Sequence, residues 1–293
     1  MLAAAGASVL VGAAIVASRS VVLEVPPLTL ALLRYAVGFL CLLPFALAGL
    51  RGLERPPPRD LWAMAALGTG QFGILIALLN WGLQQVPAAP AALIFSLFPL
   101  LTLLLGAALG SERVTARLLG GVLLSIAGVG LALAPKLQGA GRAGWWGELA
   151  VFASACVGAL CSVLYRPYLQ RYPTVPVSAF AMLASVLFLA VAALAEAWPA
   201  RVATLSAGAW AVVAFIGLSS GLGYFWWLHA LKHEPATRVT VFLALNPVTA
   251  AVLGWALLRE PLPPQLLLAL GLIAVGLFLA TRPASGKRRP APG

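Results

Sequence analysis

Apolar runs of about twenty residues alternate along the chain with short polar or proline-rich breaks. Runs of that length match the span of a helix across the hydrocarbon core of a bilayer. They predict ten helices, at roughly 2–22, 28–48, 61–83, 89–109, 115–134, 146–165, 176–196, 208–231, 236–257 and 264–281. Prolines mark the breaks: Pro26-Pro27, Pro56-Pro57-Pro58, Pro87, Pro135, Pro173 with Pro176, Pro199, Pro235, and Pro261, Pro263 and Pro264. A proline cannot continue a helix interior but suits its first turn. The first run has no basic stretch before it and nine further runs after it, so it reads as a span and not as a signal peptide. The longest polar gap, Lys136 to Gly144, leaves five helices on either side.

The two halves repeat one another. Trp62 and Trp210, Gly73 and Gly221, Pro87 and Pro235, Pro99 and Pro247, Gly106 and Gly254, Glu112 and Glu260, and Gly128 and Gly276 all stand 148 positions apart. Duplication within an apolar chain is the mark of a carrier built from two structural repeats. The division it predicts is a first repeat at 1–135, a linker at 136–144, a second repeat at 145–282 and a basic tail at 283–293.

Composition narrows the class. The chain is 62% hydrophobic and 9% charged, whereas a soluble domain is about a quarter charged. The bilayer is therefore its solvent. The net charge of +11 does not point to nucleic acid, because Lys and Arg fall mainly in short connections and in the tail. With the N-terminus in the cytoplasm, thirteen of them lie on the inner side, five outside, and Arg34 falls within the second helix. That bias places both termini inside. Five helices per half is an odd number, so the repeats enter the membrane from opposite sides and form an inverted pair. Such pairs hold substrate near the midplane, where the halves meet. The three cysteines, Cys41, Cys156 and Cys161, all lie in apolar runs and read as small buried side chains.

Leu33-Arg34-Tyr35, the run from Gln85-Val86-Pro87 to Phe98-Pro99-Leu100, Ser111-Glu112-Arg113, and the second-half Asn246-Pro247 and Arg259-Glu260-Pro261 resemble the EamA domain of the drug/metabolite transporter superfamily. The resemblance covers the chain as two EamA units and is nearest to the YddG-type amino-acid exporters. It implies an all-α membrane protein, a basket of ten helices around a central cavity, exporting small metabolites across the inner membrane. For Arg34 it implies a structural role.

Several residues are candidates for chemistry. Gln71, Asn80, Ser96, Ser219 and Asn246 are neutral polar groups inside apolar runs, suited either to a zwitterion or to bonds between helices. Ser220, Tyr224 and Trp227 share one face of the eighth helix, which lines a cavity or packs in the membrane. His229 could donate into a cavity. His229 and His233 have the spacing of a zinc pair, but Ala230 stands where a zinc protease needs Glu, and no metal is expected. Pro99 and Pro247 are either matched hinges or tolerated kinks. Arg34 is an intramembrane charge, a functional candidate unless its stem reaches to the outer surface. Gly121, Ser125 and Gly128 form a small face for packing within one subunit.

No carboxylate relay at mid-depth and no phosphate-binding loop is visible, so neither a proton pump nor an ATP-driven one is predicted, and no cofactor. An embedded enzyme would need a cluster of reactive groups that these residues do not supply. A nucleotide-sugar or sugar-phosphate carrier would need further buried cations in the later helices. The sequence therefore predicts a facilitator exporting amino acids, aromatic or otherwise neutral, whose partners are its substrate and the lipid bilayer, as a monomer or a homodimer.

Overall fold

The computed structural model describes residues 2–49, 56–110, 115–138, 144–233 and 241–281, of which 135–138, 227–233, 241, 244 and 281 are described by backbone alone. The described residues contain no strand. Among the described residues eight helices are long and apolar enough to span a membrane: α1 (Leu2–Val21), α2 (Pro27–Gly49), α3 (Pro58–Leu83), α4 (Ala88–Ala108), α5 (Ala116–Gln138), α6 (Trp146–Arg171), α7 (Thr174–Ala192) and α8 (Ala207–His233). Two more, α9 (Leu245–Leu258) and α10 (Pro264–Thr281), are apolar but shorter. The expected linker and tail fall largely outside the described residues, as do Glu112 and Pro235.

Three departures from the expected helices have local causes. Within α3, residues Thr69–Ile74 form a π turn, so one residue too many is accommodated there. Within α4, the α-helix stops at Phe95 and resumes at Phe98, with Ser96 and Leu97 in a turn. Pro99 has no N–H for the Phe95 carbonyl, and its ring crowds that carbonyl, so the helix opens one turn ahead of the proline. Pro247 likewise sits in the first turn of α9, after a 3-10 turn at Val241–Ala244. Both prolines therefore begin a helical segment, where a bend in mid-helix was expected. Past α7 the chain makes a 3-10 turn, Ala193–Glu196, where the sequence predicts the helix to continue, and then a short helix, Trp198–Thr204, where it suggests a plain connection.

Polarity is distributed inside out. Leu187 and Val191 on α7 and Leu119, Leu123 and Ile126 on α5 are exposed large hydrophobics, as are Leu267, Leu268 and Val275 on α10. The buried polar set includes Thr29, Arg34, Asn80, Ser125, Ser154, Ser178, Ser185 and Asn246. A soluble protein does not present apolar surface on this scale. In lipid it costs nothing, while hidden polar groups can bond between helices.

Small residues let the helices approach. A Cβ on Gly128 of α5 would meet Ile273 and Ala269 of α10, and one on Gly276 of α10 would meet Gly121 and Ser125 of α5. Ala269 and Ile273 stand 148 positions after Gly121 and Ser125, so the two contacts exchange under the same offset that relates the repeated residues. The other packing pairs behave alike. α1 packs on α8 and α9 while α6 packs on α3 and α4, and α2 packs on α8 while α7 packs on α3. The pairs α2–α7 and α5–α10 map onto themselves.

Bonds at the helix ends set relative direction. At one side of the bundle, Arg19 at the end of α1 donates to the Leu83 carbonyl at the end of α3 (2.6 Å), and Gln84 donates to the Val22 carbonyl (3.2 Å). On that side Glu196, beyond α7, accepts from the Leu28 and Thr29 N–H groups at the start of α2, at 3.0 and 2.7 Å. Glu260, beyond α9, accepts from the Ala88 N–H at the start of α4 at 2.9 Å, with Arg19 3.8 Å away. Each carboxylate meets unpaired N–H groups at the positive end of a helix dipole. At the opposite side, Asp60 at the start of α3 accepts from Arg171 at the end of α6 (2.9 Å) and from the Tyr172 hydroxyl (2.6 Å). Asp60 holds the Tyr172 phenol above its ordinary pKa. Thus α1 and α3 run against α6, and α2 and α4 against α7 and α9.

Candidate functional site

Arg34 anchors a polar region of the interior. It lies two turns into α2 and is only 7% exposed. Its Nε donates to the Ser220 hydroxyl of α8 at 2.7 Å, and that hydroxyl donates to the Ile216 carbonyl at 2.7 Å. The guanidinium therefore reaches inward to a neighbouring helix and not to the outer surface. Gly38 brings α2 against Gly217, Ser220 and Gly221 of α8, which fixes the reach of this bond.

Aromatic rings continue the region. Tyr35 lies against Phe72, with ring centres 5.2 Å apart, and Phe72 meets Tyr224 edge-on at 6.1 Å. The Tyr224 hydroxyl shares a hydrogen bond with Ser178 of α7 at 2.8 Å. Phe72 belongs to the π turn of α3, and so does Gln71, whose Oε1 is buried without a hydrogen-bond partner. Residues of α2, α3, α7 and α8 thus join in one run of contacts that begins beside Arg34.

The exposure pattern of α8 shows which way this face looks. Phe215, Leu218, Leu222 and Trp226 form an exposed stripe. Ser220 and Tyr224 lie on the opposite side of the helix at 100° per residue, yet both keep partial exposure, while Ile216, Gly217, Ser219, Gly221 and Gly223 are buried. Their exposure opens into the bundle, away from the apolar flank.

Of the residues singled out in the sequence, Ser220 and Tyr224 are brought to Arg34 and the aromatic run, with Gln71 in the adjoining π turn. Ser219 is buried beside Ser220. Asn80 is elsewhere: its Nδ2 donates to the Pro27 carbonyl at 3.1 Å, tying the last turn of α3 to the start of α2. Ser96 donates to the Leu93 carbonyl of its own helix at the break in α4 (2.6 Å). Asn246 is buried in the first turn of α9, its backbone carbonyl against Gly12 of α1 and its Oδ1 without a hydrogen-bond partner. The side chains of Trp227 and His229 lie outside the described residues. The central residue, Arg34, carries the signal of a lone charge inside an apolar run; what the sequence could not supply was its partner.

A crevice of about 180 Å³ opens elsewhere, between α4, α5 and α6, lined by Ile94, Leu97, Val129, Leu133, Glu148 and Phe152. It lies on the apolar flank, where Leu149 and Phe152 are exposed. Among the described residues no group of three His, Cys, Asp or Glu could hold a metal ion.

Comparison with known proteins completes the description. A protein of known crystal structure superposes with a TM-score of 0.65 at 26% identity, covering 93% of this chain and 96% of its own. A protein of Streptantibioticus cattleyicolor named "Probable terminal-alkyne amino-acid exporter" is 31% identical over 83% of this chain and 81% of its own length. The aromatic amino acid exporter YddG of Ancylobacter novellus is 28% identical over 88% of this chain and 90% of its own. An uncharacterised transporter of Archaeoglobus fulgidus is 26% identical over 92% and 94%. The pattern of the EamA-like transporter family matches residues 1–134 and again 145–282. A duplicated family unit, membrane-length apolar helices and an inside-out distribution of polarity thus meet in one chain, which belongs to the EamA-like transporter family.

Proposed function

We propose that this protein exports neutral amino acids, aromatic ones among them, across the inner membrane by alternating access between two inverted five-helix repeats, 1–135 and 145–282. The linker 136–144 joins them, and both termini, including the basic tail 283–293, lie in the cytoplasm. The observation that carries the reading is the inward-looking face on which Arg34, Ser220, Tyr224 and Phe72 converge, combining a cation, hydroxyls and aromatic rings. A zwitterion with an apolar side chain calls for that mixture, and two relatives are named as amino-acid exporters. Support for the inverted arrangement comes from the helix ends, where equivalent helices of the two halves run in opposite directions, and from contacts that exchange at an offset of 148. Pro99 and Pro247 open matched segments of α4 and α9 and serve as the hinges in this reading.

The test is flux of radiolabelled amino acids through the purified protein in proteoliposomes. Movement of several neutral amino acids down their gradients, with no accumulation driven by a pH gradient alone, is the expected result. Flux no greater than in empty vesicles across all twenty amino acids would reject the substrate class.

A further inference from the structure

We propose that Arg34 is the group that receives the carboxylate of the transported amino acid, and that Ser220 positions it without touching substrate. The assignment rests on the amino-acid reading above and specifies its chemistry. A guanidinium has five N–H donors in a planar fork and keeps its charge at any physiological pH. The guanidinium lies over the Tyr35 ring, 5.7 Å from its centre, Nε is its one hydrogen-bonded nitrogen among the described residues, bonded to a neutral hydroxyl, and none of those residues supplies a carboxylate to pair with it. Burying a cation against one neutral acceptor is unfavourable unless a counter-ion arrives, and a buried intramembrane charge is a site candidate for that reason. The two terminal NH₂ groups form the end-on fork that a carboxylate fills bidentately.

Depth and surroundings agree. Ser220 is thirteen residues past Ala207, about 20 Å along α8 at 1.5 Å per residue, well inside a core about 30 Å thick. Arg34 comes from the first half of the chain and Ser220 from the second, so their bond bridges the halves where an inverted pair holds its ligand. Ser220 is spent: it accepts from Arg34 and donates to Ile216. That leaves its hydroxyl no proton for a substrate oxygen. Beyond the cation, Tyr35 and Phe72 are buried rings in contact with each other, Phe72 meets Tyr224, which keeps partial exposure, and the buried Gln71 Oε1 in the π turn is an acceptor still lacking a donor such as an ammonium. One guanidinium matches the single negative charge of a carboxylate and falls short of a phosphate dianion.

The experiment compares L-phenylalanine with L-phenylalaninamide, which keeps the ring and amine but lacks the negative charge. In proteoliposome counterflow the wild type should move the acid roughly tenfold to a hundredfold better than the amide, the range of a charge-assisted hydrogen bond. Arg34→Gln should bring the two rates together, and Arg34→Lys should restore part of the preference. Ser220→Ala should lower the rate for the acid while preserving its preference over the amide. An unchanged acid-to-amide ratio in a folded Arg34→Gln protein overturns the assignment and leaves amino-acid export standing. If Arg34→Gln does not fold, the thermal shift of the wild type decides: stabilisation by the amide equal to that by the acid overturns it. Absence of flux for all twenty amino acids in the wild type removes the export reading and this assignment with it.

Discussion

Single residues in this protein are chosen for the space they leave as much as for the groups they carry. Gly121, Gly128 and Gly276 let α5 and α10 touch backbone to backbone, whereas a Cβ added at Gly271 on the same α10 would meet nothing within 4 Å. The pair makes a controlled test. Gly276→Val forces a branched side chain against Ser125 and the Gly121 backbone, and overpacking of this kind costs about 1–3 kcal/mol. Its melting temperature in detergent should fall clearly below that of Gly271→Val, although both add the same side chain to one helix. Equal melting temperatures would mean that the α5–α10 seam is not a determinant of stability. Arg34 is the opposite case, a charge held in the interior with its Nε bonded to a serine of a neighbouring helix.

At the scale of elements, helices in lipid need reasons to stop, because no solvent competes for their backbone bonds. Here proline and capping carboxylates mark where helical segments begin. Pro99 opens α4 at Ser96–Leu97, and Pro247 stands at the matched point of α9. Restoring the missing donor should close these breaks. Pro99→Ala can give the Phe95 carbonyl its N–H, and Pro247→Ala can do the same for Leu243. Each variant should insert and melt at or above the wild-type temperature yet transport more slowly. The two should be biased toward opposite states, since the matched segments point in opposite directions. Spin-label distances with one pair across each face read this bias, and a shift of both toward the same state, or wild-type flux in both, would dismiss the hinges. The carboxylates Glu196 and Glu260 work differently: each belongs to the end of one helix and satisfies the start of another, so they join elements that the chain does not connect directly.

The whole molecule is two halves that exchange contacts. The side closed by Arg19, Glu196 and Glu260 holds the ends of α1, α3, α7 and α9, while Asp60, Arg171 and Tyr172 lie at the other side. In the proposed topology, with both termini in the cytoplasm, the first side is the outer one. Trp62 and Trp210, both exposed in the first turns of α3 and α8, then stand at opposite interfaces, as equivalent aromatic anchors of an inverted pair should. Cysteine labelling checks the arrangement in a background free of Cys41, Cys156 and Cys161. Arg55→Cys and Lys287→Cys should react with impermeant reagent only from the cytoplasmic side, and Arg142→Cys only from outside. Reaction of Arg142→Cys from the cytoplasm alone would reverse the topology.

The sequence by itself determined the solvent, the presence of membrane-length apolar helices and the duplication. Each is a local or linear property: an apolar run has a length, a proline interrupts wherever it stands, and an offset of 148 is legible without any fold. It also exposed Arg34 as an isolated charge. Which way each helix faces was decided only in the tertiary structure. A helix apolar on nearly every side has no polar stripe to orient it, so nothing in the run containing Ser220 and Tyr224 says that they look inward while Leu218 and Leu222 look out. For the same reason Asn80 and Ser96 stood together in the sequence as neutral polar groups, and their partners separate them: a carbonyl at the start of α2 and a carbonyl of the same helix. The π turn and the two capping carboxylates were equally hidden, because both answer to helices distant in the chain that no local pattern encodes.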